Sequence, residues 1–196
     1  MKKLHIGCGK KYLPGYLHVD IQKFDHIDVI CSIDDIDKFF DEESIDEIYC
    51  CHILEHINRH NILNIISKLN KILVKGGKLR LSVPDFEAMC EIYMKDKNNL
   101  LKMYGLLYGG QKNDYDYHYI TFDFDLMSNI LEKIGFNNIM KYDPFDFLPD
   151  NFDDYSKSFI PHMDRKNGKM MSLNIIATKN ETNMKNAYLG GVNFVL

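Results

Sequence analysis

The residues best suited to chemistry stand at the start of the chain. Leu4-His5-Ile6 is a short apolar run that breaks at Gly7-Cys8-Gly9, and His18-Val19-Asp20 follows. A glycine turn after a strand lets a ligand approach the backbone closely. A carboxylate closing the next strand can accept hydrogen bonds from two neighbouring hydroxyls, such as those of a ribose. Together they suggest a seat for a nucleoside-containing ligand at the carboxyl edge of a parallel sheet.

Spacing narrows the ligand. A dinucleotide fingerprint needs a third glycine three residues after the second, but Tyr12 stands there. The ribose carboxylate of such sites lies about 20 residues further on, whereas Asp20 comes 11 residues after Gly9. The closing Gly-Lys-Ser/Thr of a phosphate-binding loop is absent as well. The turn therefore suits a nucleoside without a diphosphate.

The elements that position these residues follow from the apolar pattern. Strands are predicted over 3–6, 16–20, 26–33, 45–51 and 78–83. The connection 10–15 is too short for a crossover helix and holds Pro14-Gly15, so the first helix is expected to be truncated. Ile62, Ile65, Ile66, Leu69, Ile72 and Leu73 recur at helical spacing, with Gly76-Gly77 as the expected left-handed cap. The second half predicts helices over 86–95, 100–107 and 123–134, strands over 138–142 and 170–178, and a long connection over 144–168. This is an α/β pattern with a mostly parallel sheet of about seven strands and helices on both faces. One domain over 1–179 is expected, with a cofactor half (1–85), a substrate-side half (86–179) and a tail (180–196). The apolar end of that tail, 192–196, is expected to pack on the protein's own core or on a second subunit as a homodimer.

With 196 residues, 45% hydrophobic and 27% charged, the composition is that of an ordinary globular protein. A net charge of −4 argues against a nucleic-acid binder. The five cysteines, Cys8, Cys31, Cys50, Cys51 and Cys90, lack metal-ligand spacing and read as free thiols in a reducing compartment. No apolar run reaches the ~20 residues of a membrane span, and no signal region precedes the first strand. The expected location is the cytoplasm.

The segments LHIGCG, HVD, SIDEIYCCHILEH and LNKILVKGGKLRLSVPD, in this order, resemble a class I S-adenosylmethionine-dependent methyltransferase. They look most like the short methyltransferases found among polysaccharide-biosynthesis genes. The resemblance implies a Rossmann-like methyltransferase fold with S-adenosyl-L-methionine as cofactor. Gly7 and Gly9, with Cys8 between them, match the turn beneath the methionine part. Asp20 matches the acidic residue that binds the ribose hydroxyls. The adenine-contacting position falls on Ser32-Ile33 or Asp34, and Cys51 and His52 match the strand end lining the pocket.

Methyl transfer to a hydroxyl needs a near-attack pose and profits from a base. His118 lies between Gly109-Gly110 and a helix ending in Gly135-Phe136, where the resembling family often carries a histidine. Asp85, after the fifth strand, is the second candidate, and His162 a third. Tyr115, Tyr117 and Tyr119 could stack on a sugar face or form a lid. The acidic stretches 114–125 and 146–154 show no fixed ligand pattern, so no metal is assigned. The expected activity is O-methylation of a sugar hydroxyl of a glycan or nucleotide-sugar. The alternatives are a methyltransferase of another small molecule or of RNA, and a non-catalytic cofactor-binding or structural partner.

Overall fold

The computed structural model describes residues 1–95 and 100–180. Along the chain run β1 (Lys3–Ile6), β2 (Leu17–Asp20), β3 (Val29–Ile30), α1 (Ile36–Phe39), β4 (Ile45–Cys51), α2 (Ile62–Ile72) and β5 (Leu73–Pro84). The second half adds α3 (Phe86–Lys95), α4 (Tyr104–Tyr108), α5 (Phe124–Ile134), β6 (Phe136–Lys141), α6 (Pro144–Phe147), β7 (Phe159–Ile160), β8 (Lys169–Met170) and β9 (Ser172–Lys179).

Seven strands form one sheet in the order β3-β2-β1-β4-β5-β9-β6. β1, β2, β3, β4 and β5 pair in parallel, and β9 runs antiparallel between β5 and β6. The order reverses beside β1, so the turn at Gly7 leaves the carboxyl edge where open parallel sheets hold their ligands. β7 and β8 make a separate two-stranded hairpin.

The two faces of the sheet are covered unequally. On one face α2 buries Ile62, Ile65, Ile66, Leu69 and Ile72, and α5 buries Met127, Ile130 and Leu131, in a common core with Leu4, Ile48, Cys50 and Leu81. Side chains alternate along a strand, so Tyr49 and Cys51 face the other way. They meet Leu13 from the short connection after β1, and Phe147, Leu148 and Phe152 from α6 and the chain that follows it. Among the described residues, the cover in this cluster comes from the four-residue α6 and from chain around it. The truncated first helix is borne out: residues 11–13 carry no helical turn, and Leu13 is buried in the Tyr49 cluster with Tyr16 packed against it.

Several element boundaries need correction. The third strand shrinks from the expected 26–33 to Val29–Ile30, because Ile33–Asp35 turns into a 3-10 helix capped by Ser32. Gly76-Gly77 does not cap α2. That helix ends at Ile72, and the glycines lie within β5, where the pairing with β4 jumps from Ile45–Leu73 to Glu47–Lys78. The bulge needs a residue at φ 74°, which Gly76 supplies at no steric cost. Gly135, by contrast, caps α5 at φ 101° as expected. The long connection holds α6 and the first strand of the hairpin, because Asp143 and Asp154 cap local turns within it. Most of the tail, from residue 181 on, lies outside the described residues, and with it the expected packing of 192–196. Among the described residues no helix is long and apolar enough to cross a membrane.

Candidate functional site

The glycine turn is a locked piece of backbone. Gly7 and Gly9 both hold positive φ, 64° and 55°. The Gly7 N–H donates to the Val19 carbonyl at 2.7 Å, and the Lys11 N–H to the Cys8 carbonyl at 2.9 Å. The Gly9 N–H donates to Oδ2 of Asp20 at 2.7 Å, and the Gln22 N–H to Oδ1 at 2.8 Å. Asp20 therefore closes the turn and keeps spare lone pairs on both oxygens, since a carboxylate accepts about four hydrogen bonds.

The two glycines differ in surroundings. A Cβ on Gly7 would fall 1.8 Å from Cδ1 of Ile53, whereas a Cβ on Gly9 would meet nothing within 4 Å. Gly9 is thus the open side of the turn. Cys8 points into the protein, its thiol 3.8 Å from the Val19 carbonyl. Burial, helped by the Asp20 charge, pushes that thiol up to about 12. Any Cys8 contact with a ligand on this side falls to its backbone.

Ser32 and Asp34 follow β3 next to Asp20, whose carbonyl accepts from the Cys31 N–H at 3.0 Å. The Ser32 hydroxyl accepts from the Asp34 N–H at 3.2 Å. Asn61 donates to Oδ1 of Asp34 at 2.5 Å, and Lys68 donates to the Asp34 carbonyl. These bonds fasten the β3 end to α2 and to Asn61 just before it.

β4 ends at Cys51, which turns toward the Tyr49 face; burial pushes its thiol well above the usual range. His52 then adopts a left-handed φ of 54°, strained for a non-glycine residue. The strain aims the ring at two partners. Nδ1 lies 2.9 Å from Oε1 of Glu55, and Nε2 lies 2.8 Å from the Ser172 hydroxyl on β9.

Asp85 follows β5 and caps α3, accepting from the Ala88 N–H at 3.3 Å. It lines an open cleft of about 440 Å³ with Lys141, Tyr142, Asp143, Ser172 and Asn174. Burial raises the Asp85 carboxyl above the ordinary range, against the pull of the Ala88 N–H and Lys141.

His118 is not among the cleft residues. Its Nδ1 is 2.8 Å from the Leu106 carbonyl, its N–H donates to the Tyr108 carbonyl at 3.2 Å, and its ring meets the His56 ring edge-on at 4.7 Å. Burial lowers its pKa, opposed by the Leu106 carbonyl. His162 is exposed, as are Tyr115, Tyr117 and Tyr119. One residue that sequence reasoning missed is Glu55, a fully buried carboxylate among His52, His56 and His118. Burial raises its pKa, but the histidines, His52 foremost, hold it below the ordinary value. The only signal in the sequence is its place in His52-Ile-Leu-Glu-His56.

No family model and no curated protein matches this sequence. Solved structures do. A SAM-dependent methyltransferase from Archaeoglobus fulgidus shares 15% identity, covering 91% of this chain and 86% of its own, with a TM-score of 0.55. A SAM-dependent methyltransferase from Methanosarcina mazei shares 14% identity over 92% of this chain and 93% of its own, with a TM-score of 0.53. The Burkholderia thailandensis 1,6-didemethyltoxoflavin-N1-methyltransferase, solved with 1,6-didemethyltoxoflavin and S-adenosylhomocysteine, shares 13% over 91% of this chain and 70% of its own, with a TM-score of 0.52. These likenesses establish the fold: a Rossmann-like methyltransferase fold with a mostly parallel sheet of seven strands.

Proposed function

We propose that this chain is an S-adenosylmethionine-dependent O-methyltransferase acting on a sugar hydroxyl of a glycan or nucleotide-sugar. The observation that carries the cofactor is the Gly9–Asp20 pair. An open left-handed glycine and a carboxylate with spare lone pairs sit side by side at the carboxyl edge, beside the switch point. The residues present fit the group. Gly9 leaves room for the methionine part, and Asp20 accepts from the ribose hydroxyls. Ser32 and Asp34 flank the adenine, and Cys51 and His52 close the strand end behind it. When bound, the sulfonium supplies an electrophilic methyl group.

The chain's own part is to hold and activate the acceptor. Asp85 suits that task. It lies in a cleft beside Lys141, Tyr142 and Asn174, a set of donors and acceptors that matches a hydroxylated substrate. Its raised carboxyl makes it a stronger base than an exposed aspartate. The choice of a sugar rests on the sequence resemblance and on this polar lining.

Calorimetry with S-adenosylhomocysteine tests the cofactor assignment. Binding is expected in the native chain, and Asp20→Ala should weaken it by about 10-fold or more, the worth of hydrogen bonds to a charged acceptor. No binding to the folded native chain would overturn the reading. Transfer of labelled methyl groups onto a panel of sugars, nucleotide-sugars and RNA then tests the acceptor.

A further inference from the structure

We infer that Glu55, His56 and His118 form a binding site for one divalent transition-metal ion, with Zn²⁺ as the ion they suit. The three come from two distant parts of the chain. Leu54–His56 is a 3-10 turn just after β4. His118 arrives on the chain that follows α4. That chain is tied down where the Tyr119 N–H donates to the Glu55 carbonyl at 2.8 Å and where Phe122 bridges to Asp85. One donor atom from each of the three side chains then lies within 4.8 Å of the other two.

The hydrogen bonds prepare both imidazoles as ligands. Nδ1 of His56 is 3.0 Å from the Tyr117 carbonyl, and Nδ1 of His118 is 2.8 Å from the Leu106 carbonyl. A carbonyl only accepts, so each Nδ1 carries the proton in the neutral ring, and each Nε2 keeps its lone pair. A backbone carbonyl on the far nitrogen is how metal-binding histidines are held in tautomer and orientation.

Glu55 supplies an independent observation. The residue is 0% exposed, and neither carboxylate oxygen has a hydrogen-bond partner. His52 Nδ1 is 2.9 Å from Oε1 but is not aligned to donate to it. A buried carboxylate left in this state is costly, and a cation removes the cost. His52 then acts as a positioning residue that holds Glu55 from behind.

The donor set selects the ion. Two imidazole nitrogens and one carboxylate suit Zn²⁺ and its neighbours, whereas Mg²⁺ and Ca²⁺ prefer oxygen. Three protein ligands leave a fourth position open, as in catalytic zinc sites. His56 and His118 are partly exposed, so water or a substrate oxygen can reach it. Zn–N distances of about 2.0–2.1 Å require the donor atoms, now within 4.8 Å of one another, to draw closer together on binding. The inference needs only these three side chains and does not depend on methyl transfer.

The test uses the full chain carrying Cys90→Ser, to remove an exposed thiol that could capture metal. Zn²⁺ affinity is read by competition with a chromophoric chelator, and Co²⁺ by its visible absorption. One equivalent should bind with the intense bands of a four-coordinate site. Glu55→Gln, His56→Ala and His118→Ala should each weaken binding by more than about 100-fold, since loss of an outer-shell partner alone costs 10–100-fold. His60→Ala, an exposed neighbour, should leave it unchanged. If Glu55→Gln fails to fold, the partly exposed His56→Ala decides. Failure to retain one equivalent, or ligand variants that bind like the parent, would overturn the site.

Discussion

The Tyr49 hydroxyl donates to Oδ2 of Asp154 at 2.5 Å, joining β4 to the chain beyond α6 across 105 residues of sequence. Tyr49 is fully buried, packing against the Phe147 ring at 5.4 Å and the His5 ring at 5.1 Å. The other oxygen of Asp154 holds the Ser156 N–H at 3.0 Å. This one carboxylate thus shapes the segment that packs over Tyr49. Tyr49→Phe keeps the ring and removes the bond, leaving a partly buried acceptor short of one partner. It should lower stability by about 1–3 kcal/mol in denaturant unfolding, with the slope unchanged. A smaller change would mean that water replaces the hydroxyl and that the segment is held by packing alone.

Gly7 and Gly9 make a paired test of the turn. Both occupy left-handed φ, so alanine at either costs about 1–2 kcal/mol of strain. At Gly7 the added methyl also drives into Ile53, so Gly7→Ala should destabilise more than Gly9→Ala. At Gly9 the methyl enters open space, the space assigned to the cofactor. Gly9→Ala should therefore weaken S-adenosylhomocysteine binding more than its stability loss accounts for. Thermal unfolding and calorimetry on the two variants separate the effects. Equal affinities in Gly9→Ala and the parent would move the cofactor off this side of the turn.

The strands that seat Gly9 and Asp20 are legible in the sequence because each is a short apolar run with a clear stop. Gly7 and Gly9 stop β1 by turning left-handed, and Pro84 stops β5. Gly76-Gly77 is misleading because a left-handed glycine serves a helix cap and a strand bulge equally well, and only the partner strand decides between them. Cover by Leu13, Phe147, Leu148 and Phe152 is not legible at all. These residues show no periodicity, and their order comes from tertiary contact with Tyr49 and from carboxylates capping local turns. The Glu55, His56 and His118 cluster escapes spacing rules because 62 positions separate its histidines. Its assembly depends on loop bonds such as Tyr119 to Glu55, which no residue type announces.

Asp85 should leave a signature in the pH dependence of turnover. To accept a proton its carboxyl must be ionised, and burial lifts it above the ordinary carboxylate range. Turnover should therefore fall as pH drops through a value above that range. Lys141 pulls the carboxyl down and Glu87 pushes it up, with Asp143 and Lys169 also lining the cleft. Lys141→Ala should move the acidic limb to higher pH. Asp85→Asn keeps an acceptable helix cap and should lower turnover by about 100-fold or more, the usual worth of a positioned base, with S-adenosylhomocysteine affinity unchanged. An acidic limb that survives in Asp85→Asn would assign the proton transfer to another group.

His5 should govern acid stability. It is 2% exposed and packed among the rings of His18, Tyr49 and Phe152. Burial lowers its pKa from 6.5 to about 3, with Asp154 opposing and His18 and His26 adding to the shift. The unfolded chain therefore binds a proton near pH 6.5 that the folded chain refuses until about pH 3. The stabilisation from neutral His5 is complete above pH 6.5 and is lost progressively as pH falls toward 3. At 1.36 kcal/mol per pKa unit the loss is bounded at about 5 kcal/mol. His5→Phe retains an aromatic ring but cannot take up the proton. Its unfolding free energy should change less than the parent's between pH 7 and pH 4, as read by urea titrations across that range. Parallel pH profiles for parent and variant would show that another group, His18 first among them, carries the acid response.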